Sequence, residues 1–225
     1  MSTEPVEPVE PFDTFDRAYA TGTPPWVIGE PQPVVVELER SGALRGAVLD
    51  PGCGAGEHTV LLAEKGYDVL GVDFAPHAVE LARKNADQRG VPARFESADA
   101  LRLPEELGAG RFDTVLDSAL FHCFGEEGRT AYVGSLYGVT RPGATVYVLA
   151  LSDRETGFGP RISEEALRTP FEAHPGFEIE SLEPVTYSGL APAEHAREMG
   201  IAPGDRVEAT AWLARVRRDE RAADA

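Results

Sequence analysis

The chain has 225 residues, 42% of them hydrophobic, and a net charge of −17 from 21 basic against 38 acidic side chains. That length suits one domain with a full core, no apolar run approaches the ~20 residues of a membrane helix, and an acidic field with no basic stripe argues against a nucleic-acid partner. Two cysteines, Cys53 and Cys123, make no disulfide framework, and five histidines fall in no metal-ligand spacing, so no metal is expected and a reducing cytoplasm is the default.

Residues 1–11 are acidic and proline-rich, unlike a signal peptide, and read as a disordered tail. Phe12, Phe15 and Tyr19 then stand at helical spacing. Residues 21–33 hold four prolines and two glycines, which forbid regular structure. Trp26 in that loop either plugs the edge of the core or closes over a bound ligand. Pro33 opens a helix through Val34, Val35, Leu38 and Leu44. Residues 12–45 thus form an N-terminal cap on one domain running to residue 218, with a solvated tail at 219–225.

Val48 to Asp73 organises the rest. An apolar run ends in Asp50; Gly52, Gly54 and Gly56 follow at alternate positions; a helix and a second apolar run end in Asp73. This is strand, glycine loop, helix, strand, acid, half of a nucleotide-binding α/β unit. Glycines let the backbone turn sharply and approach a ligand. A dinucleotide loop is G-x-G-x-x-G over a pyrophosphate, whereas here the pattern is D-x-G-x-G-x-G. Asp50 would repel a diphosphate but suits an ammonium, and Asp73 can accept both ribose hydroxyls. An adenosine with an amino-acid tail and no phosphate is S-adenosylmethionine.

With that triplet and both acids, the chain resembles the class I S-adenosylmethionine-dependent methyltransferases. The loop T-P-P-W-x-x-G-x-P-Q-P resembles the entry loop of the thiopurine and halide/thiol methyltransferases, and more closely that of actinobacterial enzymes acting on benzoquinone-type and heterocyclic toxins. The resemblance implies a Rossmann-like α/β fold: a seven-stranded, mostly parallel sheet with an antiparallel strand 6/7 pair and helices on both faces. It also implies that Trp26 lies against the cofactor and that Phe74, next to Asp73, belongs to the cofactor site. S-A-D-A resembles the third cofactor segment, so Asp99 would accept from the adenine amino group while the Ala100 N–H meets the ring. Backbone near Asp117 would meet the methionine part. Plant members carry further tryptophans upstream; Phe12, Phe15 and Tyr19 stand there instead, and those contacts are not carried over.

Pro76 to Gly90 reads as a helix with Ala78, Val79, Ala82 and Ala86 on one face, and Ala93 to Ala98 as the third strand. Phe112 to Asp117 is a fourth strand ending beside the first, so residues 118–124 should face the methyl group. Glu126 to Val139 is a helix, with Arg141 favouring its C-terminal dipole and Pro142-Gly143 stopping it. Ala144 to Leu151 is a central strand. Ser163 caps a further helix. Phe177 to Tyr187 and Arg206 to Val216 supply the closing pair.

Methyl transfer from a sulfonium is an in-line displacement with a neutral leaving group, so alignment and water exclusion are the protein's work. His122 is the candidate general base; otherwise it hydrogen-bonds backbone or orients substrate. Cys123 reads as a small buried residue. Phe121, Phe124, Phe158 and Trp26 are candidates to line a pocket for a planar ring, with two of the four expected on substrate and the rest in the core. The expected function is methylation of a small aromatic or heterocyclic acceptor on O, N or S, by a monomer or homodimer without a membrane partner. The alternatives are a thiol or halide methyltransferase, for which Arg154 or Arg161 would have to offset the acidic field, and a non-catalytic S-adenosylmethionine-binding protein.

Overall fold

The computed structural model describes residues 12–22, 24–155, 159–192, 196 and 200–220. The expected tail at 1–11 and residues 221–225 lie outside them. The N-terminal half runs α1 (Phe12–Thr21), α2 (Pro33–Arg40), β1 (Ala47–Pro51), α3 (Glu57–Glu64), β2 (Asp68–Asp73), α4 (Pro76–Arg89), β3 (Arg94–Ser97), α5 (Leu103–Leu107) and β4 (Phe112–Ser118). The C-terminal half runs α6 (Glu126–Val139), β5 (Thr140–Leu151), α7 (Glu164–Glu172), β6 (Phe177–Leu190) and β7 (Arg206–Arg218), and 3-10 turns occupy Ala100–Arg102 and Phe121–Cys123.

The strands make one sheet in the order β3-β2-β1-β4-β5-β7-β6. β1 to β5 are parallel, and β7 lies antiparallel between β5 and β6. Strand alternation loads both faces. Leu49, Leu70, Val146 and Val148 face a cluster with Tyr132, Leu136 and Phe171 of α6 and α7. Their neighbours Val48, Val69 and Tyr147 face Val35 of α2 and Leu62 of α3. Central strands covered on both sides read as continuous apolar runs, which is why Ala144 to Leu151 stands out.

Local chemistry sets the helix ends. Pro76 sits in the first turn of α4, where a missing N–H costs nothing, and Gly90 closes it in the left-handed region at φ 67°. Ala78, Val79, Ala82 and Ala86 are its buried face. The Ser163 side chain accepts from the Ala166 N–H at the start of α7. No helix among the described residues is long and apolar enough to cross a membrane.

Three expectations are corrected. Arg141 does not serve the end of α6: that helix stops at Val139, and Arg141 pairs with Asp113 from β5. Pro142 and Gly143 fall where the β4–β5 register jumps between Phe112 and Thr114, so they shape a bulge rather than stop a helix. The tail does not begin at residue 219, because the Asp219 N–H donates to the Gly176 carbonyl and its own carbonyl accepts from Gly143.

The strand order reverses at β1. From β1 the strands step outward to β2 and β3, then return to β4 on the other side, where Val48 pairs with Thr114. Open α/β sheets bind ligands at that switch point, outside the carboxyl strand ends.

Candidate active site

A cavity of about 330 Å³ opens there. Gly52 to Ala55 after β1, Asp73 to Ala75 at the end of β2 and Ala98 to Leu101 after β3 wall one side. Ser118 to Leu120 after β4, with His122, Cys123, Phe124 and Leu151, wall the other.

Two glycines are required for distinct reasons. Gly54 has φ 53°, and a Cβ there would lie 2.5 Å from the Tyr19 hydroxyl, so only bare backbone fits under α1. Gly56 has φ 83°, and its Cβ would meet Ala82 and the Phe95 ring at 2.9 Å, so its absence lets α3 pack on α4 and β3. Gly52 and Gly54 line the cavity, whereas Gly56 lies behind it.

The Asp73 carboxylate accepts from the Gly54 N–H and the Ala75 N–H, both at 2.9 Å, and burial raises its pKa. Asp99 accepts from the Leu101 N–H at 2.9 Å. Phe74 presents its ring at the cavity with 47% of its surface exposed. Two buried polar atoms in the wall, Glu57 Oε1 and Ser118 Oγ, have no hydrogen-bond partner among the described residues. A buried polar atom without a partner costs about 1–3 kcal/mol unless a ligand or water satisfies it. An adenosine with an amino-acid tail meets this set: Asp73 suits the ribose, Asp99 and Ala100 the adenine edge, and Glu57 an ammonium.

Residues 48–143 match the methyltransferase domain family. A 2-heptyl-1-hydroxyquinolin-4(1H)-one methyltransferase of Mycobacteroides abscessus is 39% identical over 140 residues, covering 62% of this chain and 60% of that protein. A probable thiol methyltransferase 2 of Arabidopsis thaliana is 28% identical over 146 residues, 64% of each. The chain thus spans under two thirds of these relatives' length. A solved structure described as "Conversion of a Disulfide Bond into a Thioacetal Group during Echinomycin Biosynthesis" superposes with a TM-score of 0.82 at 37% identity, over 94% of this chain and 93% of that one. The chain belongs to the class I S-adenosylmethionine-dependent methyltransferases.

In this methyltransferase neither strand-end acid beside the switch point reaches the cavity. Asp50 lies on the same strand face as Val48, beneath α3; it accepts from the Thr59 hydroxyl at 2.6 Å, and burial raises its pKa to about 7. It is therefore not the carboxylate for an ammonium, which corrects the expectation from the sequence. Asp117 accepts from the N–H groups of Leu120 and Phe121 at 3.0 and 3.3 Å, and burial raises its pKa to about 7. It shapes the turn after β4. Ala119 in that turn has φ 72°, a conformation non-glycine residues seldom adopt, and its N–H donates to the Leu149 carbonyl.

The turn sends its side chains different ways. Phe121 is fully buried and stacks on Phe171 at 5.6 Å, so it is core and not a pocket residue. Phe124 lines the cavity while touching Tyr132 from behind. Phe158 lies outside the described residues. Trp26 lies in the wall, its Nε1–H donating to the Tyr19 hydroxyl at 2.7 Å.

His122 is 4% exposed, and its Nδ1 accepts from the Leu151 N–H at 2.9 Å. A neutral imidazole that accepts at one nitrogen carries its hydrogen on the other, so Nε2 is the donor. Burial pushes the pKa down to about 4. Nε2 has no partner among the described residues. So held, the ring can offer the cavity an N–H but has no free nitrogen with which to take a proton.

Among the wall residues not singled out as site residues from sequence are Tyr19, Gln32, Glu57 and Tyr187. Gln32 is buried, and its amide exchanges hydrogen bonds with the Ser188 backbone at 2.8 and 2.9 Å, pinning the proline loop to β6. A lone polar residue between two prolines was the available signal.

Proposed function

We propose that this chain methylates a ring heteroatom of a small aromatic or heterocyclic acceptor, bound as its anion, using S-adenosylmethionine. The observation that carries the reading is His122 in the wall of a mostly apolar cavity beside the glycine loop, with its accepting nitrogen already taken. S-Adenosylmethionine supplies an electrophilic methyl group whose sulfur departs as a neutral thioether. The chain's residues then have three tasks. Asp73, Asp99 and Gly54 hold the nucleoside end, Glu57 takes the ammonium, and Phe124 with Trp26 excludes water and flanks a flat ring. The His122 Nε2–H donates to the acceptor's anionic atom and orients its lone pair. A donor of this kind suits acceptors that ionise near neutral pH, such as N-hydroxy heterocycles and acidic phenols. The name of the Mycobacteroides relative, a hydroxyquinolinone methyltransferase, supports that class.

A thiol acceptor is the second reading, favoured by the name of the Arabidopsis relative. One experiment separates the two. The protein is incubated with S-adenosylmethionine and a panel of hydroxyquinolines, phenols, quinols and thiols, and products are weighed for one added CH2. Gain on the ring compounds is expected; gain on thiols alone selects the second reading. Cofactor binding with no gain anywhere makes the chain a binding protein.

A further inference from the structure

A second opening adjoins the cavity and shares His122, Gly159 and Pro160 with it. Its volume is about 670 Å³, and its wall holds Arg129, Arg154 and Arg161 against two carboxylates, Asp153 and Glu155. The chain as a whole has a net charge of −17, so this mouth reverses the local balance.

The three guanidinium groups are anchored, each along one edge or face. Arg129 Nη1 donates to the Phe124 carbonyl and Arg161 Nη1 to the Glu155 carbonyl, both at 2.6 Å. Arg154 lies 4.1 Å over the Trp212 ring, with Nη2 3.8 Å from Glu164. Arg129 and Arg161 make no other hydrogen bond among the described residues. A planar group fixed along one edge keeps further N–H donors in a fork that matches a carboxylate.

We propose that this opening binds a carboxylate carried by the acceptor, which holds the acceptor's nucleophilic atom at His122. The proposal rests on the methyl-transfer reading and narrows it to acidic aromatic acceptors. Arg154 is shared with Glu164, whereas Arg129 and Arg161 are held, among the described residues, only by backbone carbonyls, which suits a monoanion; a phosphate dianion would meet Asp153 and Glu155 more strongly. The arginines reach solvent, so the preference is modest and sensitive to salt.

The test uses 4-hydroxyquinoline-2-carboxylate and its methyl ester, titrated by calorimetry into protein saturated with S-adenosylhomocysteine. The ring and hydroxyl are the same; the ester removes the charge and adds one methyl group. The acid should bind about 5- to 20-fold tighter at low salt, a preference the size of one or two partly screened ion pairs. It should shrink below about twofold near ~0.5 M salt, where screening is short-ranged, and again in Arg161→Gln and Arg154→Gln. Arg161 is exposed, so its substitution alters charge with little effect on folding. An acid that binds no tighter than the ester, or a preference that survives both substitutions, overturns the proposal. If S-adenosylhomocysteine itself fails to bind, the methyltransferase reading fails instead.

Discussion

On the β1–β2 side the cavity is made largely of backbone: glycines with positive φ, and N–H groups turned onto Asp73. On the β4–β5 side it is made of side chains: His122, Phe124 and the nearby arginines. The first wall depends on what is missing, a Cβ at Gly54 in the wall itself or at Gly56 behind it. The second depends on what projects. Substitution should therefore break the first wall all at once and retune the second by degrees, so one cofactor site can serve many acceptors.

The largest break should come at Gly56. Gly56→Val forces a side chain into Ala82 and Phe95 at φ 83°, costing about 3 kcal/mol or more of stability in denaturant unfolding.

Next comes a pH effect on the acceptor wall. The folded pKa of His122, about 4, lies below the ordinary 6.5. The unfolded chain therefore binds more protons between those values. Stability tied to the neutral ring is fully present above about pH 6.5 and is lost as pH falls towards 4. His122→Gln lacks that loss. Relative to the variant, the wild type should lose about 1.4 kcal/mol per pH unit below 6.5, about 3 kcal/mol in all, read from unfolding curves at each pH.

His122→Ala removes the donor and should lower kcat/KM for a hydroxyquinoline by about 10- to 100-fold, the size of a hydrogen bond to a charged group. S-Adenosylhomocysteine affinity, read by calorimetry, should move far less, because the proposed cofactor contacts lie on the other wall. The smallest effect is expected at Trp26. Trp26→Phe keeps a flat ring but loses the hydrogen bond to Tyr19, worth about 1 kcal/mol of stability in denaturant unfolding.

The same division decides what was legible in the sequence. Positive-φ turns need glycine, so the backbone wall is written as Gly52 and Gly54 with Gly56 behind them, and both-face burial writes β5 as an apolar run. Side-chain walls are set by partners far along the chain. The donor that fixes His122's tautomer, the Leu151 N–H, lies 29 residues away. Phe121 and Phe124 are alike in sequence, and only the turn held by Asp117 sends Phe121 against Phe171. Asp50 ends a strand as a ligand-binding acid would, yet the pleat points it under α3 at Thr59. Arg129 joins Arg154 and Arg161 only through the fold, whereas the latter two are near neighbours in sequence.

The central claim is that His122 donates to an acceptor already ionised. The pH dependence of kcat/KM for two hydroxyquinolines of different acidity tests it most directly. The account predicts that the inflection moves with each acceptor's own pKa and persists in His122→Ala at a lower plateau. An inflection at one fixed pH for both acceptors, abolished in His122→Ala, would contradict it and make the histidine a base.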